Sequence, residues 1–275
     1  MNFRSIHFMT DVLRKLRLLE CADRIIYVKD LVWNARANRI FMSAHRDFPC
    51  PASRLAFDAY GTTNRQHYYD SGAKCAAFVA DVIKRNLLSD NIRVCEWGCG
   101  PARVIRHIRG ALRHGNVELY GADYNAESIE WCSKHIAGVK FFQNEPQPPL
   151  PFESASFDCV YAISVFTHLS EAMHFAWIKE LNRVLRPKGL LMITTHGNMA
   201  SDRLLQHEKA SYDAGRIVVR GGVTEGKKWY LAYHPSEFMR HRLLNEFEIL
   251  SHSQFLDTTQ DLWLARNQEV PQGQS

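Results

Sequence analysis

The sequence predicts an α/β fold in which a mostly parallel sheet carries helices on both faces. Short apolar runs rich in β-branched residues alternate with stretches whose apolar residues recur at helical spacing, a pattern typical of parallel strands joined by helices. The last two runs, Phe247 to Leu250 and Asp261 to Ala265, have no helical stretch between them. They predict an antiparallel hairpin at one edge.

The first strand of the predicted core, around Ile92 to Cys95, leads into a two-glycine bend at Gly98 and Gly100. Glycine has no Cβ, so a ligand can lie against the main chain there. Pro101 is expected at the first position of the following helix, which Gly115 ends. A strand, a bend and a helix in this order form a corner that commonly binds a nucleotide or a related cofactor.

The bend differs from a dinucleotide-binding loop at two positions. Arg103 stands where the third glycine of G-x-G-x-x-G is expected, and Glu96 precedes the first glycine by two residues. A carboxylate there faces a cationic group better than a pyrophosphate. S-adenosylmethionine carries an ammonium and a sulfonium, so the sequence favours it over a dinucleotide.

Four further strands follow in order. The second ends at Asp123, 23 residues after Gly100. This spacing is close to the ~20 residues expected for an acid that accepts hydrogen bonds from the ribose hydroxyls. The third ends at Gln143 and Asn144. The fourth and fifth are predicted at residues 157–163 and 185–193.

These motifs resemble class I S-adenosylmethionine-dependent methyltransferases, with Glu96-x-Gly98-x-Gly100 similar to the first motif of that family. The resemblance implies a seven-stranded, Rossmann-like sheet over residues 71–266, with S-adenosylmethionine as cofactor. It places Asp123 on the ribose, Asn144 beside the adenine and Tyr69, ahead of a helix starting at Ser71, as a lid over the methionine end. The cofactor-binding residues expected from the bend, the strand ends and this lid are Glu96, Gly98, Cys99, Gly100, Asp123, Tyr124, Asn144, Ala162 and Tyr69.

Two histidines are candidate catalytic bases. Methyl transfer is an in-line displacement that needs positioning and, for a hydroxyl or a protonated amine, removal of a proton. His168 and His196 follow the fourth and fifth strands, where loops line the ligand crevice. A structural role for each histidine stays open. A metal site at the crevice would need carboxylates beside these histidines. Glu171 is the one carboxylate close to them in the sequence, so we expect no metal.

Several acceptor classes are disfavoured by absent motifs. Methyltransferases that act on amino groups of DNA bases and glutamine carry an Asn/Asp-Pro-Pro-Tyr turn after the fourth strand, and this turn is missing here. Cytosine carbon-5 methyltransferases need a cysteine nucleophile after the fourth or fifth strand, whereas the one Pro-Cys pair of this chain, at Cys50, lies upstream of the fold. We expect transfer to oxygen or nitrogen of a small molecule or a glycan or lipid precursor. An RNA methyltransferase and a non-catalytic S-adenosylmethionine-binding protein are the alternatives.

Composition adds weaker constraints. The 275 residues include 34 basic and 29 acidic side chains, a net charge of +5 that does not by itself indicate nucleic acid. Seven cysteines without a C-x-x-C pair suggest a reducing compartment. Neither a signal-peptide core nor a run of ~20 apolar residues is found, so we expect a cytoplasmic protein without a transmembrane segment.

The regions outside the motifs are predicted more loosely. Residues 1–70 are expected to be helical, with Met9, Val12, Leu13, Leu16 and Leu19 on one helical face and basic residues opposite. Such a segment could touch a membrane surface, cover the active site or pack on the domain. Residues 199–233 are predicted as an insertion with a hairpin, residues 235–244 as a helix, and residues 267–275 as a disordered tail. The sequence leaves the oligomeric state open.

Overall fold

A computed structural model describes residues 10, 12–14, 18–89, 91–112 and 115–268. Its centre is a seven-stranded sheet with the order β3-β2-β1-β4-β5-β9-β8. Only β9 runs antiparallel to its neighbours, so the predicted fold class is confirmed. The strands are β1 (Asn91–Trp97), β2 (Asn116–Asp123), β3 (Val139–Gln143), β4 (Phe157–Ala162), β5 (Leu185–Thr195), β8 (Phe247–Gln254) and β9 (Asp261–Asn267).

Helices cover both faces of this sheet because the central strands β1, β2, β4 and β5 bury side chains in both directions. One face packs against Ile83 and Ile108, which lie on helices α3 and α4. The other packs against Trp177 and Leu181 of helix α6. The helices are α1 (Leu19–Ala44), α2 (Ser53–Tyr60), α3 (Arg65–Asn86), α4 (Ile105–Leu112), α5 (Ala126–His135), α6 (Glu171–Val184), α7 (Gln206–Asp213) and the short α8 (Ser236–Phe238).

The strand order reverses between β1 and β4, which pair with each other in the middle of the sheet. In open α/β sheets, ligands bind outside the carboxyl ends of the strands at such a switch point. The glycine bend after β1 and the loop after β4 both lie there. The fold therefore places the first motif and the loop carrying His168 on opposite sides of one crevice.

Helix α3 begins at Arg65 and not at Ser71 as predicted. The Asn64 side chain accepts a hydrogen bond from the His67 backbone N–H and thereby caps the helix. Tyr68 and Tyr69 lie inside this helix, not ahead of it.

Two further helix predictions were wrong. Pro101 is not a first helical residue, because α4 begins at Ile105 after a turn. The helix expected over residues 235–244 is only the three-residue α8 followed by a π-helical turn, Met239–Leu243.

The insertion contains a 3₁₀ helix (Asn198–Arg203), helix α7 and the predicted hairpin, formed by β6 (Val218–Arg220) and β7 (Leu231–Tyr233). Of the predicted N-terminal face, Leu19 is buried and Val12 is exposed, while Met9 and Leu16 lie outside the described residues. Residues 269–275, most of the predicted tail, also lie outside them. Across the described part of the chain, none of the helices is both long and apolar enough to cross a membrane.

Candidate active site

The glycine bend is held by hydrogen bonds to the end of β2. The backbone N–H groups of Gly98 and Cys99 both donate to the Ala122 carbonyl, at 2.8 and 3.1 Å. The N–H of Gly100 donates to Asp123 Oδ2 at 2.8 Å. Three consecutive donors are thus bonded within the protein, and none of them is left for a pyrophosphate. This arrangement supports the preference for a cationic cofactor.

Gly98 is required by both conformation and space. Its φ of +74° lies in the left-handed region, and a Cβ there would come within 2.2 Å of Val165 Cγ2. The group that approaches the bend is therefore a side chain from the loop after β4. The two sides of the crevice touch at this point.

Glu96 is almost fully buried at the end of β1. Its Oε2 accepts from the Ile105 backbone N–H at 2.9 Å and from the Tyr161 hydroxyl at 3.1 Å. Burial raises the pKa of the Glu96 carboxyl to about 8, although the Arg103 guanidinium and these hydrogen bonds act in the opposite direction. The predicted partner of a cation is therefore neutral at pH 7 in this structure, and it also caps helix α4.

Asp123 links the bend to the start of helix α5. Its Oδ2 accepts from Gly100, and its Oδ1 accepts from the Asn125 backbone N–H at 2.8 Å. Burial raises the pKa of Asp123, whereas the two backbone hydrogen bonds and the Lys227 charge lower it. The neighbouring Tyr124 is half-buried, and its hydroxyl lies 3.4 Å from the Gly226 carbonyl oxygen.

Asn144 has a buried acceptor without a partner in the described part of the chain. Its Nδ2 donates to the Glu145 carbonyl at 2.7 Å, which fixes the orientation of the amide, and its Oδ1 receives no hydrogen bond. Its backbone N–H donates to the Asp123 carbonyl at 3.1 Å. A buried acceptor beside Asp123 suits the exocyclic amine of adenine.

Arg103 has a buried donor without a partner among the described residues. Its Nη1 donates to the Ser71 hydroxyl at 3.0 Å, while its Nε is buried and makes no hydrogen bond. Its guanidinium lies 4.9 Å from the ring centroid of Tyr60. A carboxylate such as that of the methionine moiety would satisfy the Nε. From the sequence, Arg103 was noted only because it stands where a dinucleotide-binding loop has its third glycine, and a binding role was not predicted for it.

The aromatic residues at the bend are Tyr60 and Tyr68, not Tyr69. The Tyr68 hydroxyl donates to the Pro101 carbonyl at 2.6 Å, and the Tyr60 hydroxyl accepts from the Arg103 backbone N–H at 3.3 Å. The Tyr69 ring instead packs in an aromatic cluster with Phe41, His45, Phe48 and His107. Tyr69 makes none of these hydrogen bonds to the bend, and its role as a lid stays a prediction.

Two predicted cofactor residues are fully enclosed. Cys99 and Ala162 have almost no exposed surface. Ala162 packs in the core of the sheet and is paired with Ile193 of β5. Their side chains fill space next to the bend, and only their backbone atoms could face a ligand.

His168 lies on a 3₁₀ turn (Phe166–His168) after β4. Its Nδ1 is 2.7 Å from the Tyr230 carbonyl oxygen, and because a carbonyl only accepts, Nδ1 carries the proton. Burial lowers the pKa of His168, and the Tyr230 hydrogen bond partly opposes this shift. The neutral ring therefore presents an unprotonated Nε2, which makes no hydrogen bond within the described residues.

His196 is less suited to catalysis. It is buried, and its Nδ1 lies 3.3 Å from the Ala232 carbonyl oxygen. Burial, together with the nearby His168, lowers the pKa of His196 to about 3. A group with this pKa is a weak proton acceptor at pH 7. The structure places His196 beside His168 but not in the role of a base.

A pair of buried histidines lies behind this loop and was not anticipated. His174 Nε2 and His234 Nε2 are 2.7 Å apart, and His174 Nδ1 is 2.6 Å from the Ser170 carbonyl oxygen. Burial lowers the pKa of His174 to about 4 and that of His234 well below its ordinary value. Both rings are neutral in the fold.

The segment Thr224–Tyr230, here called the strap, belongs to the connection between strands β6 and β7 and crosses the crevice. The Gly226 N–H donates to the His168 carbonyl at 2.9 Å, and Lys227 Nζ lies 5.4 Å from the Tyr124 ring centroid. Lys228 forms an ion pair with Asp23 of helix α1 at 2.7 Å. The strap thus connects both sides of the crevice to the N-terminal helices.

The described residues contain no group of three or more His, Cys, Asp or Glu side chains arranged to hold a metal ion. The expectation that no metal is used stays a prediction. The unpaired atoms of Asn144 and Arg103, together with the carboxyl groups of Glu96 and Asp123, fit the polar groups of S-adenosylmethionine.

The fold is that of the class I, Rossmann-like methyltransferases, and comparisons with known proteins agree with this. Residues 95–193 match the protein family described as "Methyltransferase domain". A solved S-adenosylmethionine-dependent methyltransferase from Methanosarcina mazei superposes with a TM-score of 0.51 at 20% identity, covering 68% of this chain and 97% of that one. That likeness supports the fold. Residues 95–193 are thus similar to a methyltransferase domain, within a chain that has the fold of S-adenosylmethionine-dependent methyltransferases.

Curated relatives match a smaller part of the chain. A malonyl-[acyl-carrier protein] O-methyltransferase from Legionella pneumophila is 29% identical over 107 residues, 38% of this chain and 36% of that protein. A tRNA N(3)-methylcytidine methyltransferase from Schizosaccharomyces pombe is 25% identical over 120 residues, 38% of this chain and 37% of that protein. The chain therefore matches less than half the length of each of these relatives.

Proposed function

We propose that the protein transfers a methyl group to an oxygen or nitrogen atom of a small molecule or of a glycan or lipid precursor. The observation that supports this proposal is the neutral His168, whose Nδ1–H is held by the Tyr230 carbonyl while Nε2 makes no hydrogen bond within the described residues. A base is useful for an acceptor that must lose a proton, such as a hydroxyl or a protonated amine.

Cofactor binding is proposed to use four polar groups around the bend. S-adenosylmethionine, when bound, supplies an electrophilic methyl group. Asn144 Oδ1 would accept from the adenine amine, and Asp123 would accept from the ribose hydroxyls. Arg103 Nε would bind the carboxylate of the methionine moiety, while Glu96 would face its ammonium. Each assignment uses an atom that is buried and either unpaired or acidic in this structure.

His168 is proposed as the general base and His196 as a structural neighbour. The Tyr230 carbonyl fixes one tautomer of His168, so the proton of the acceptor would go to Nε2. His196, with a pKa of about 3, would remain neutral throughout.

The relatives support different acceptor atoms. The Legionella relative is named as a malonyl-[acyl-carrier protein] O-methyltransferase, which favours an oxygen acceptor. The Schizosaccharomyces relative is named for a nitrogen of tRNA and keeps an RNA acceptor as the second candidate. Binding to RNA should weaken steeply with salt, whereas binding of a small uncharged acceptor should not.

The direct test offers labelled S-adenosylmethionine and separate pools of metabolites, lipids and RNA to the purified protein. We expect label in the metabolite or lipid pool. His168→Gln should lower kcat by about 10²–10⁴-fold with little change in the affinity for S-adenosylhomocysteine, because a base acts on the acceptor only. His196→Gln serves as the matched comparison and should retain more activity.

Asp123→Ala tests the cofactor site separately. It should weaken S-adenosylhomocysteine binding by about 1.5–3 kcal/mol in calorimetry, as expected for hydrogen bonds to a charged group. Glu127→Ala, which removes an exposed carboxylate nearby, should leave the affinity unchanged. Unchanged affinity in Asp123→Ala would contradict the ribose assignment, and full activity in His168→Gln would contradict the proposed base.

A further inference from the structure

Between Leu19 and Phe41, which are buried near its two ends, helix α1 turns polar residues inward and apolar residues outward, the reverse of an ordinary surface helix. Its buried face carries Asp23, Asn34 and Asn38, each of which has a partner in the fold. Asp23 pairs with Lys228, Asn34 Oδ1 accepts from Asn64, and Asn38 donates to the Thr63 carbonyl. Asp30 also faces the body of the protein, where it accepts from the Thr63 backbone N–H at 2.5 Å.

The outward face is apolar along most of the helix. Trp33 is 83% exposed and Val32 is 72% exposed, and they lie on the same side as Ile25, Val28 and Ile40. These residues recur at spacings of three, four and seven, so they form a continuous surface and not scattered positions. Ile25, Val28 and Val32 line a shallow groove along the helix. A contiguous apolar surface of this kind marks an interaction site.

Basic side chains are interleaved with these apolar residues. Arg24, Lys29, Arg36 and Arg39 are exposed, and none of the four forms an ion pair in the described part of the chain. Glu20 is the single acidic residue of α1 that is classed as exposed, since Asp23 and Asp30 bond inward. The outward face is therefore apolar and positively charged at once.

We propose that this face of α1 docks the protein on an anionic membrane surface. A helix that lies in the membrane interface buries Trp, Ile and Val between the lipid headgroups, while lysine and arginine side chains extend to the anionic headgroups. A second copy of the chain fits less well, because a two-fold contact through this face would bring the same four cations together. RNA fits less well because Ile25, Val28 and Val32 gain nothing from phosphates.

The docking face lies back to back with the strap. Asp23, on the opposite side of the same helix, accepts from Trp229 Nε1 at 3.2 Å and pairs with Lys228. The membrane surface would thus be one helix diameter, about 10 Å, from the segment that crosses the crevice. An acceptor presented at a lipid surface would be held near the strap.

The test measures sedimentation of the full-length protein with vesicles at low salt. We expect binding to vesicles of phosphatidylglycerol and phosphatidylcholine, weak binding to phosphatidylcholine alone, and a loss of binding as salt is raised. The double variant Val32→Ser, Trp33→Ser should partition about tenfold or more weakly. Leu88→Ser is the matched control, because Leu88 is 95% exposed but lies outside α1, and it should bind like the unmodified protein.

A second variant separates membrane contact from a folding effect. Trp33→Phe keeps an aromatic side chain and should keep binding, while the vesicle-induced blue shift of tryptophan emission should become smaller. Absence of binding to anionic vesicles would overturn the proposal. So would equal binding by the Val32→Ser, Trp33→Ser variant, or a dimer in light scattering that this variant abolishes. None of these measurements depends on methyl transfer.

Discussion

The two sides of the crevice bury ionisable groups of opposite type. The side formed by β1 and β2 holds Glu96 and Asp123, whose pKa values are raised by burial. The other side is formed by the loops after β4, β5 and β7 together with helix α6. It holds histidines whose pKa values are lowered by burial, namely His168, His174, His196 and His234. Loss of hydration, and not pairing with an opposite charge, dominates on both sides.

The two kinds of buried group allow one crevice to receive a cation and also to remove a proton. A carboxyl group kept neutral by burial becomes ionised when a cation arrives, so the acidic side responds to the cofactor. A histidine kept neutral by burial has a free lone pair, so the other side can accept a proton or provide an uncharged wall. The difference predicts that the two sides respond to pH in opposite directions.

The largest effect is expected where the two sides touch. Gly98→Ala places a Cβ against Val165 Cγ2 and forces an L-residue into a φ of +74°. It should destabilise the protein by about 2–4 kcal/mol and weaken S-adenosylhomocysteine binding, because the bend and the β4 loop must separate. Denaturant unfolding and calorimetry measure the two effects.

Two further variants control for this change. Gly110→Ala, on the exposed side of α4 where a Cβ meets nothing within 4 Å, should be neutral or stabilise by up to about 1 kcal/mol. Adding Val165→Ala to Gly98→Ala should recover the part of the loss that comes from the clash. If Gly98→Ala were as stable as Gly110→Ala, the two sides would not be in contact as described.

A smaller effect is expected from acid on the histidine side. The pKa of His174 is about 4 in the fold against about 6.5 in an unfolded chain, so the unfolded state binds more protons below pH 6.5. The stabilisation is present above pH 6.5 and is lost as the pH falls toward 4. It amounts to roughly 3 kcal/mol for a shift of about 2.5 pH units. Unfolding free energies at pH 7.5, 6 and 5 measure it.

The double variant His174→Gln, His234→Gln removes the titration while keeping hydrogen-bonding side chains. It should reduce the fall of the unfolding free energy with falling pH. His207→Gln, at an exposed position of α7, should leave this pH dependence unchanged. An acid slope that the double variant leaves intact would show that this pair does not carry it.

The parts of the site that follow a local pattern were predictable from sequence. The glycine bend, Asp123 and Asn144 each follow directly after an apolar strand, and parallel strands bring their carboxyl ends to one edge. The fold class followed from the same alternation. No long-range contact was needed for these predictions.

The errors occur where a distant residue decides the local structure. Helix α4 starts at Ile105 and not at Pro101 because Glu96, nine residues earlier, accepts from the Ile105 N–H. Tyr69 turned out to lie in an aromatic cluster because α3 begins at Arg65, and the adjacent Tyr68 faces the bend instead. The buried polar face of α1 depends on partners such as Lys228, more than 200 residues away, which no periodicity reveals.

The smallest effect is expected from Glu96, on the acidic side of the crevice. Because the pKa of Glu96 is about 8, its carboxyl is mostly protonated at pH 7, and a cationic cofactor should release about nine-tenths of a proton from it. The stability of the fold and the affinity for the cofactor then change in opposite directions with pH. The neutral carboxyl stabilises the fold below pH 4.5, and this contribution declines as the pH rises toward 8, whereas cofactor affinity rises over the same interval by up to about tenfold per pH unit.

Calorimetry of S-adenosylhomocysteine binding in two buffers with different ionisation enthalpies counts the released protons. Glu96→Gln should release only what Asp123 contributes, and it should lose most of the pH dependence of affinity. Binding without proton release at pH 7 in the unmodified protein would mean that Glu96 is already ionised, and the contrast between the two sides of the crevice would then rest on the histidines alone.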